Sequence, residues 1–241
     1  MMKTLKIVSY NIHKGKTASG AKPSLELLKS SLQPLQADLI FLQEVQGVNN
    51  RVQSLHNQPV MISDYLSLHV AYGCNAVRKH SNHGNALLSR FEILNQDNQD
   101  ISDHRLEQRG LLHVMVDCYG VNLHCFVVHL GLFKRSRERQ VDALAERIRR
   151  LVPEHEPIVI AGDFNDWNNK LEPRFVQALN LHEVFTQQPR TFPVLLPWLR
   201  LDRMYQRGFN VVSAQVLTGR PWSKISDHAP LWVELKFDPL G

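Results

Sequence analysis

The chain has 241 residues, enough for one substantial core, and its 43% hydrophobic and 21% charged content excludes a disordered polar chain. Its 28 Lys and Arg against 23 Asp and Glu leave a formal charge of +5, which favours anionic partners without specifying one. No apolar run reaches the ~20 residues of a membrane-spanning helix and no leader-type segment opens the chain. Cys74, Cys118 and Cys125 lack metal-type spacing, so free thiols and a cytoplasmic location are expected.

In chain order, apolar periodicity predicts a strand over 5–10, then a helix capped by Ser24 with Leu25, Leu28, Leu32 and Leu35 at helical spacing. Strands follow over 38–43, 85–89, 110–118 and 121–129, the last two placed so that Cys118 and Cys125 can face each other across a hairpin. A second helix is predicted over 136–151, with Val141, Leu144, Ala145, Ile148 and Leu151 on one face. Further strands are predicted over 157–161, 201–205, 211–217 and 230–237. Strands outnumber helices and several sit at hairpin spacing, so a mixed α/β arrangement fits better than a doubly wound parallel sheet. Neither repeats nor linkers interrupt the pattern, which reads as one domain over 1–241.

Polar residues recur where apolar strands finish. Asn11 follows the first strand, Glu44 the second, His129 ends Phe126-Val127-Val128, and Asp163 and Asn165 follow Ile158–Gly162. Asp202 and the pair Asp227-His228 flank later strands. Strand ends gathered along one sheet edge can unite groups that the sequence scatters. Asn11, Glu44, Asp163, Asn165 and Asp227 supply the hard oxygen donors that Mg²⁺ or Mn²⁺ prefers. His129 and His228 supply charge and protons, and Asp202 could hold His228 in one tautomer. Each residue alone is equally a strand end or a turn. Their joint occurrence points to phosphate ester hydrolysis, which needs an oriented water, charge stabilisation and a proton for the leaving oxygen.

The motifs Ser9-Tyr10-Asn11, Leu42-Gln43-Glu44, Gly84-Asn85-Ala86-Leu87-Leu88-Ser89-Arg90, Val128-His129-Leu130, Gly162-Asp163-Phe164-Asn165, Leu201-Asp202-Arg203 and Ser226-Asp227-His228-Ala229-Pro230-Leu231 together resemble the endonuclease/exonuclease/phosphatase family. The likeness spans nearly the whole chain. Asn11-Ile12-His13-Lys14-Gly15 and Thr191-Phe192-Pro193 resemble a bacterial subgroup, the YbhP-like proteins. The resemblance implies a four-layered α/β sandwich of two mixed sheets flanked by helices. It implies Glu44 as principal metal ligand with Asn11 and Asp227 nearby, and Asp163 orienting or deprotonating water. Asn165 is then expected on a phosphoryl oxygen, His228 with Asp202 on the developing charge, and His129 assisting there or protonating the leaving oxygen. In one branch of the family a Glu just before the strand at 84–90 supports the acid histidine, whereas this chain reads Ser81-Asn82-His83-Gly84-Asn85, with no carboxylate.

Two substrate classes are open to such a site. The basic residues of 134–150 fit a phosphate backbone, or equally the solvated face of a helix with Glu138 and Glu146 in i, i+4 pairs. Arg109 could hold a phosphate, Trp167 could stack on a base, and Asn85 is a further candidate contact. The apolar segment 192–199 points instead to a lipid or small phosphoester, through an interfacial loop or an apolar wall, or else it covers core. Nucleic acid is the first expectation and a lipid or small phosphoester the alternative. A non-enzymatic binding protein is disfavoured because the ligand and acid–base set is intact.

Overall fold

The computed structural model describes residues 3–104 and 107–238. Its strands, in chain order, are β1 (Thr4–Asn11), β2 (Leu39–Val45), β3 (His69–Val77), β4 (Asn82–Ser89), β5 (Ile93–Asp100), β6 (Gly110–Asp117), β7 (Asn122–His129), β8 (Ile158–Asp163), β9 (His182–Glu183), β10 (Asp202–Arg207), β11 (Phe209–Val216) and β12 (Leu231–Phe237). The helices are α1 (Leu25–Leu32), α2 (Gln58–Leu66), α3 (Lys134–Leu151) and the short α4 (Glu172–Phe175). One six-stranded sheet runs β11-β12-β1-β2-β4-β3 and the other β5-β6-β7-β8-β10-β9. Each has a parallel pair at its centre, β1 with β2 and β7 with β8, among antiparallel neighbours.

The layers follow from alternation along the central strands. Ile7, Phe41 and Leu87 of the first sheet meet Val114, Val127 and Ala161 of the second in the core between the sheets. Their neighbours point outward. Val8, Ile40 and Leu88 pack with Leu28 and Leu32 of α1 and Ile62 of α2, and Phe126, Val128 and Ile160 pack with Val141, Leu144 and Ile148 of α3. Strands buried on both faces need apolar residues at every position, so they read as unbroken hydrophobic runs. The result is the expected four-layered sandwich, helix–sheet–sheet–helix.

Several local expectations are corrected. β3 and β5 are edge strands; β5, Ile-Leu-Asn-Gln-Asp-Asn-Gln-Asp, is polar because it is largely exposed and carries no apolar signal. α2 carries Pro59 in its first turn and only a weak apolar face, so periodicity does not mark it. Ser24 precedes α1, but its Oγ donates to the Ile225 carbonyl at 2.7 Å and not to the helix. Leu151 is exposed at the end of α3, and Val152 takes the buried place. Cys118 lies beyond β6, Cys125 opposes Val114 instead, and all three cysteines are free. No helix among the described residues is long and apolar enough to cross a membrane.

The parallel pairs fix the site. Asn11 registers with Gln43, His129 with Asp163, and Asp163 with Asp202 across the antiparallel β8–β10 pair. The ends of both central pairs therefore open on one edge of the sandwich.

Candidate active site

On the first sheet, Asn11 ends β1 and Glu44 lies where β2 loses register with β4, between Leu42 and Val45. Glu44 is in the left-handed region at φ 55°, a conformation that a bulge imposes and that re-aims the side chain. The turn after β1 is bent similarly, with His13, Lys14 and Gly15 at φ 46°, 59° and 67°. Buried Gln58 secures it, donating from Nε2 to the Lys14 carbonyl at 2.9 Å and accepting the Gln46 amide on Oε1 at 2.9 Å. The turn carries two side chains into the site. Lys14 Nζ lies 2.5 Å from Glu44 Oε2, and His13 Nδ1 lies 3.6 Å from Asp227 Oδ1. Ser226 Oγ donates to the Asn11 carbonyl at 2.7 Å, which places Asp227 and His228 against the end of β1.

The second sheet contributes His129, Asp163 and Asp202. Gly162 sits at φ 148°, and a Cβ there would run into the Val128 carbonyl, so only glycine lets β8 lie this close to β7 beside the site. Asn165 turns at φ 49°, its amide donating to Asp163 Oδ1 at 3.0 Å and its Nδ2 to the Leu130 carbonyl at 2.9 Å.

Three contacts join the sheets at this edge. Asn11 Nδ2 donates to Asp163 Oδ2 at 3.1 Å. His228 Nδ1 pairs with Asp202 Oδ2 at 2.8 Å, and its Nε2 lies 3.7 Å from Asp163 Oδ2. His129 Nε2 approaches the same Asp163 oxygen at 3.6 Å. Asp163, Asp202, His129 and His228 are all buried.

Charge separates the two histidines. Burial alone would lower His228, but Asp202 and then Asp163 outweigh it and push the imidazole up to about 10, so it is a cation at neutral pH. Burial and the Arg109 guanidinium hold His129 well below the usual range, leaving it neutral. Burial, with Asp202 adding to it against the pull of His228, raises Asp163 above the usual carboxylate range. Burial opposes ionisation of Glu44, yet the Lys14 ammonium hydrogen-bonded to it prevails and holds it at about 2. His83, from the stretch that lacks a carboxylate, is lowered to about 4 by burial and by Lys14. No carboxylate stands behind His129 in that stretch, and a neutral His129 is a weak starting point for a general acid.

The residues expected to touch substrate sit differently. Asn85 is fully buried between the sheets and donates to the Gly110 and Val127 carbonyls at 3.0 and 3.2 Å, leaving its Oδ1 without a partner. Arg109 donates from Nε to the Leu130 carbonyl at 3.2 Å and pairs with Glu107 at 3.1 Å, so it is held beside the site by its own neighbours. Trp167 is exposed, with the Arg137 guanidinium 5.8 Å from its ring centroid. Lys14, His13 and Gln58 border the candidate site; the sequence names His13 and Lys14 only within the subgroup motif, without a role, and does not point to Gln58. The signal for the first two is the run Asn-Ile-His-Lys-Gly immediately after a strand; Gln58 carries none.

A divalent cation fits this donor set. Glu44, Asp227 and Asn11 offer hard oxygens, and Glu44 already neutralises a cation, the Lys14 ammonium, on Oε2. Asp163, Asp202 and His228 also offer ligand atoms within 4.8 Å of one another. His228 Nδ1 and Asp202 Oδ2 are paired with each other at 2.8 Å, while Asp202 Oδ1 has no hydrogen-bond partner.

Comparison with known proteins identifies the family. The uncharacterized protein YbhP of Escherichia coli K12 is 40% identical over 246 aligned positions covering 96% of each chain. An endonuclease/exonuclease/phosphatase protein from Beutenbergia cavernae superposes with a TM-score of 0.85 at 20% identity, covering 98% of this chain and 72% of that one. D. rerio TDP2, solved with a single-strand DNA product, superposes at 0.73 with 19% identity, covering 97% and 99%. The family model for endonuclease/exonuclease/phosphatase proteins matches residues 8–228, a span that begins before Asn11 and ends on His228, and the chain belongs to that family.

Proposed function

We propose that this protein is a Mg²⁺- or Mn²⁺-dependent hydrolase of phosphodiester bonds. The observation that carries this reading is the buried His228 ring, held by Asp202 at 2.8 Å and facing Asp163 at 3.7 Å, with Asn11 Nδ2 on the same Asp163 oxygen. A cation on Glu44, with Asn11 and Asp227 in reach, would supply Lewis-acid polarisation of the phosphoryl group. His228 Nε2 donates toward a phosphoryl oxygen as negative charge builds, while Asp202, accepting from Nδ1, fixes the ring's orientation and favours its charged form. Asp163, its proton affinity raised toward the operating pH, accepts a proton from the attacking water. Asn11 Nδ2 orients the Asp163 carboxylate at 3.1 Å.

The test is product formation from plasmid DNA, bis-p-nitrophenyl phosphate, p-nitrophenyl phosphate and a phospholipid, with EDTA and His228→Ala as controls. Metal-dependent turnover of a diester that both controls abolish supports the reading. Retention of rate in His228→Ala overturns the assignment of His228.

For nucleic acid as substrate, the support is the charge of +5 and the single-strand DNA product bound to D. rerio TDP2. The basic helix supports it less than its sequence suggests. Arg137 donates to the Gly131 and Leu132 carbonyls, Arg139 is bound by Asp103, and Arg147 pairs with Asp97 at 2.5 Å. A second reading, a lipid phosphodiester, is favoured by the surface around the mouth of the site.

A further inference from the structure

Among the described residues, eight large apolar side chains are at least half exposed, and six of them sit on three loops that leave the active-site edge. Leu132 and Phe133 follow His129, Trp167 follows Asn165, and Leu195, Leu196 and Trp198 lie in the segment that packs Phe192 against His228 at a centroid distance of 4.9 Å. Leu195 and Leu196 are the extreme cases, 74% and 76% exposed. Soluble surfaces rarely gather such side chains in one place without a use for them.

The loops are anchored, so the exposure is built in. Arg137 holds the first by the carbonyls of Gly131 and Leu132, and Glu107 Oε1 accepts the Leu132 amide at 2.9 Å. Buried Arg203 holds the second by the Asp166 carbonyl at 2.8 Å. The third is pinned by Val194 donating to the Asp227 carbonyl at 2.7 Å, and Phe192 bridges Leu199 across its base. Asn169 ties the second loop to the third, donating to Gln188 Oε1 at 2.8 Å and accepting from Arg200 at 3.2 Å.

The charges on these loops have one sign at the surface. Segments 130–135 and 186–200 contain no Asp or Glu, and the one carboxylate in 165–171, Asp166, is buried against Arg203. The exposed charges are Lys134, which pairs with Glu138 of α3 at 3.8 Å, Arg135, Lys170 and Arg190. A rim of aliphatic and indole tips interleaved with cations matches the acyl–headgroup boundary of an anionic bilayer. Stacking on bases would use the aromatic tips, but Leu195 and Leu196, the most exposed, have no π-face to offer.

We infer that these three loops dock the protein on an anionic phospholipid surface, with the active site facing a headgroup phosphodiester. The choice of substrate rests on the phosphodiester-hydrolase reading; the docking surface does not. The experiment compares wild type with the double variant Leu195→Asp/Leu196→Asp in cosedimentation with phosphatidylcholine vesicles, with and without phosphatidylglycerol, and measures bis-p-nitrophenyl phosphate hydrolysis in parallel. Wild type is expected to bind the anionic vesicles, and the variant to lose about a hundredfold in affinity, from two leucines no longer buried. Both proteins are expected to hydrolyse the small diester equally. Wild type that ignores anionic vesicles overturns the docking inference while leaving the hydrolase reading intact. So does binding that the variant keeps. Single-strand DNA binding, or self-association, that the variant abolishes while vesicles are ignored assigns the loops to those occupants and overturns the lipid. Vesicle binding without diester turnover supports docking and removes the hydrolase reading instead.

Discussion

Lys14→Met probes the proposed metal ligand Glu44 directly. Lys14 Nζ lies 2.5 Å from Glu44 Oε2, so a divalent cation on Glu44 must displace or share with an ammonium already there. A hydrogen bond between charged partners contributes about 1.5–3 kcal/mol, which at 1.36 kcal/mol per decade is about 10- to 150-fold in affinity. The Lys14 side chain is 34% exposed, and solvent screening places the effect at the lower end, about tenfold. Calorimetric titration of Mn²⁺ into the substrate-free protein is expected to show tighter binding in Lys14→Met by that factor. The metal-free variant is expected to melt earlier, because Glu44 loses the partner that holds its carboxyl at about 2, and saturating Mn²⁺ should restore the difference. Equal or weaker Mn²⁺ binding in the variant would refute the competition and make Lys14 a support of the site.

Glu44→Ala should raise the Mg²⁺ concentration for half-maximal activity at least about tenfold, and an unchanged metal titration removes Glu44 from the ligand set. Asp202→Asn keeps a hydrogen-bonding side chain but removes the charge that favours imidazolium at His228, so kcat should fall about 10²–10⁴-fold, as in His228→Ala; a near-normal rate refutes the pairing. Because the folded His228 is raised from 6.5 to about 10, its stabilising contribution is complete below about 6.5 and is lost as pH climbs through about 10. Thermal melts of the metal-free protein between those limits should therefore decline more steeply for wild type than for His228→Gln, and parallel curves would contradict the raised value. Gly162→Ala places a Cβ against the Val128 carbonyl at a positive φ and should destabilise the fold by about 1–3 kcal/mol in urea titration; an unchanged midpoint would show that β7 and β8 can part without cost.

The central strands were legible because burial on both faces writes an uninterrupted apolar run, as in Ile158-Val159-Ile160-Ala161. The candidate site was legible for a related reason. A rigid strand end is where a polar residue breaks such a run, and Asn11, Glu44, His129 and Asp163 each do so. β5 was hidden because an exposed edge strand is under no pressure to be apolar, and its partner β6 carries the hydrophobic side of the pair. Lys14 could be seen as a residue but not as a contact. Its reach to Glu44 depends on left-handed turns at His13 and Lys14 and on Gln58, 44 positions away, holding the Lys14 carbonyl. The loops at 130–135, 165–171 and 186–200 were visible singly, and only tertiary structure shows that they leave the same edge.

The order in which the site is stitched has a consequence for synthesis. Ser226 grips the carbonyl of Asn11 across 215 positions, and Thr4 finds its antiparallel partner at Lys236. A ribosome moving at about 5–20 residues per second needs roughly 10–45 s after making β1 to deliver β12. Throughout that interval β1 has β2 on one side and an open edge on the other, an aggregation risk that an assisting chaperone would cover. The same delay keeps a growing chain inert: no partial product carries Asn11, Asp163 and His228 in contact. The contacts of the candidate site are complete only once Ser226–His228 lie against β1.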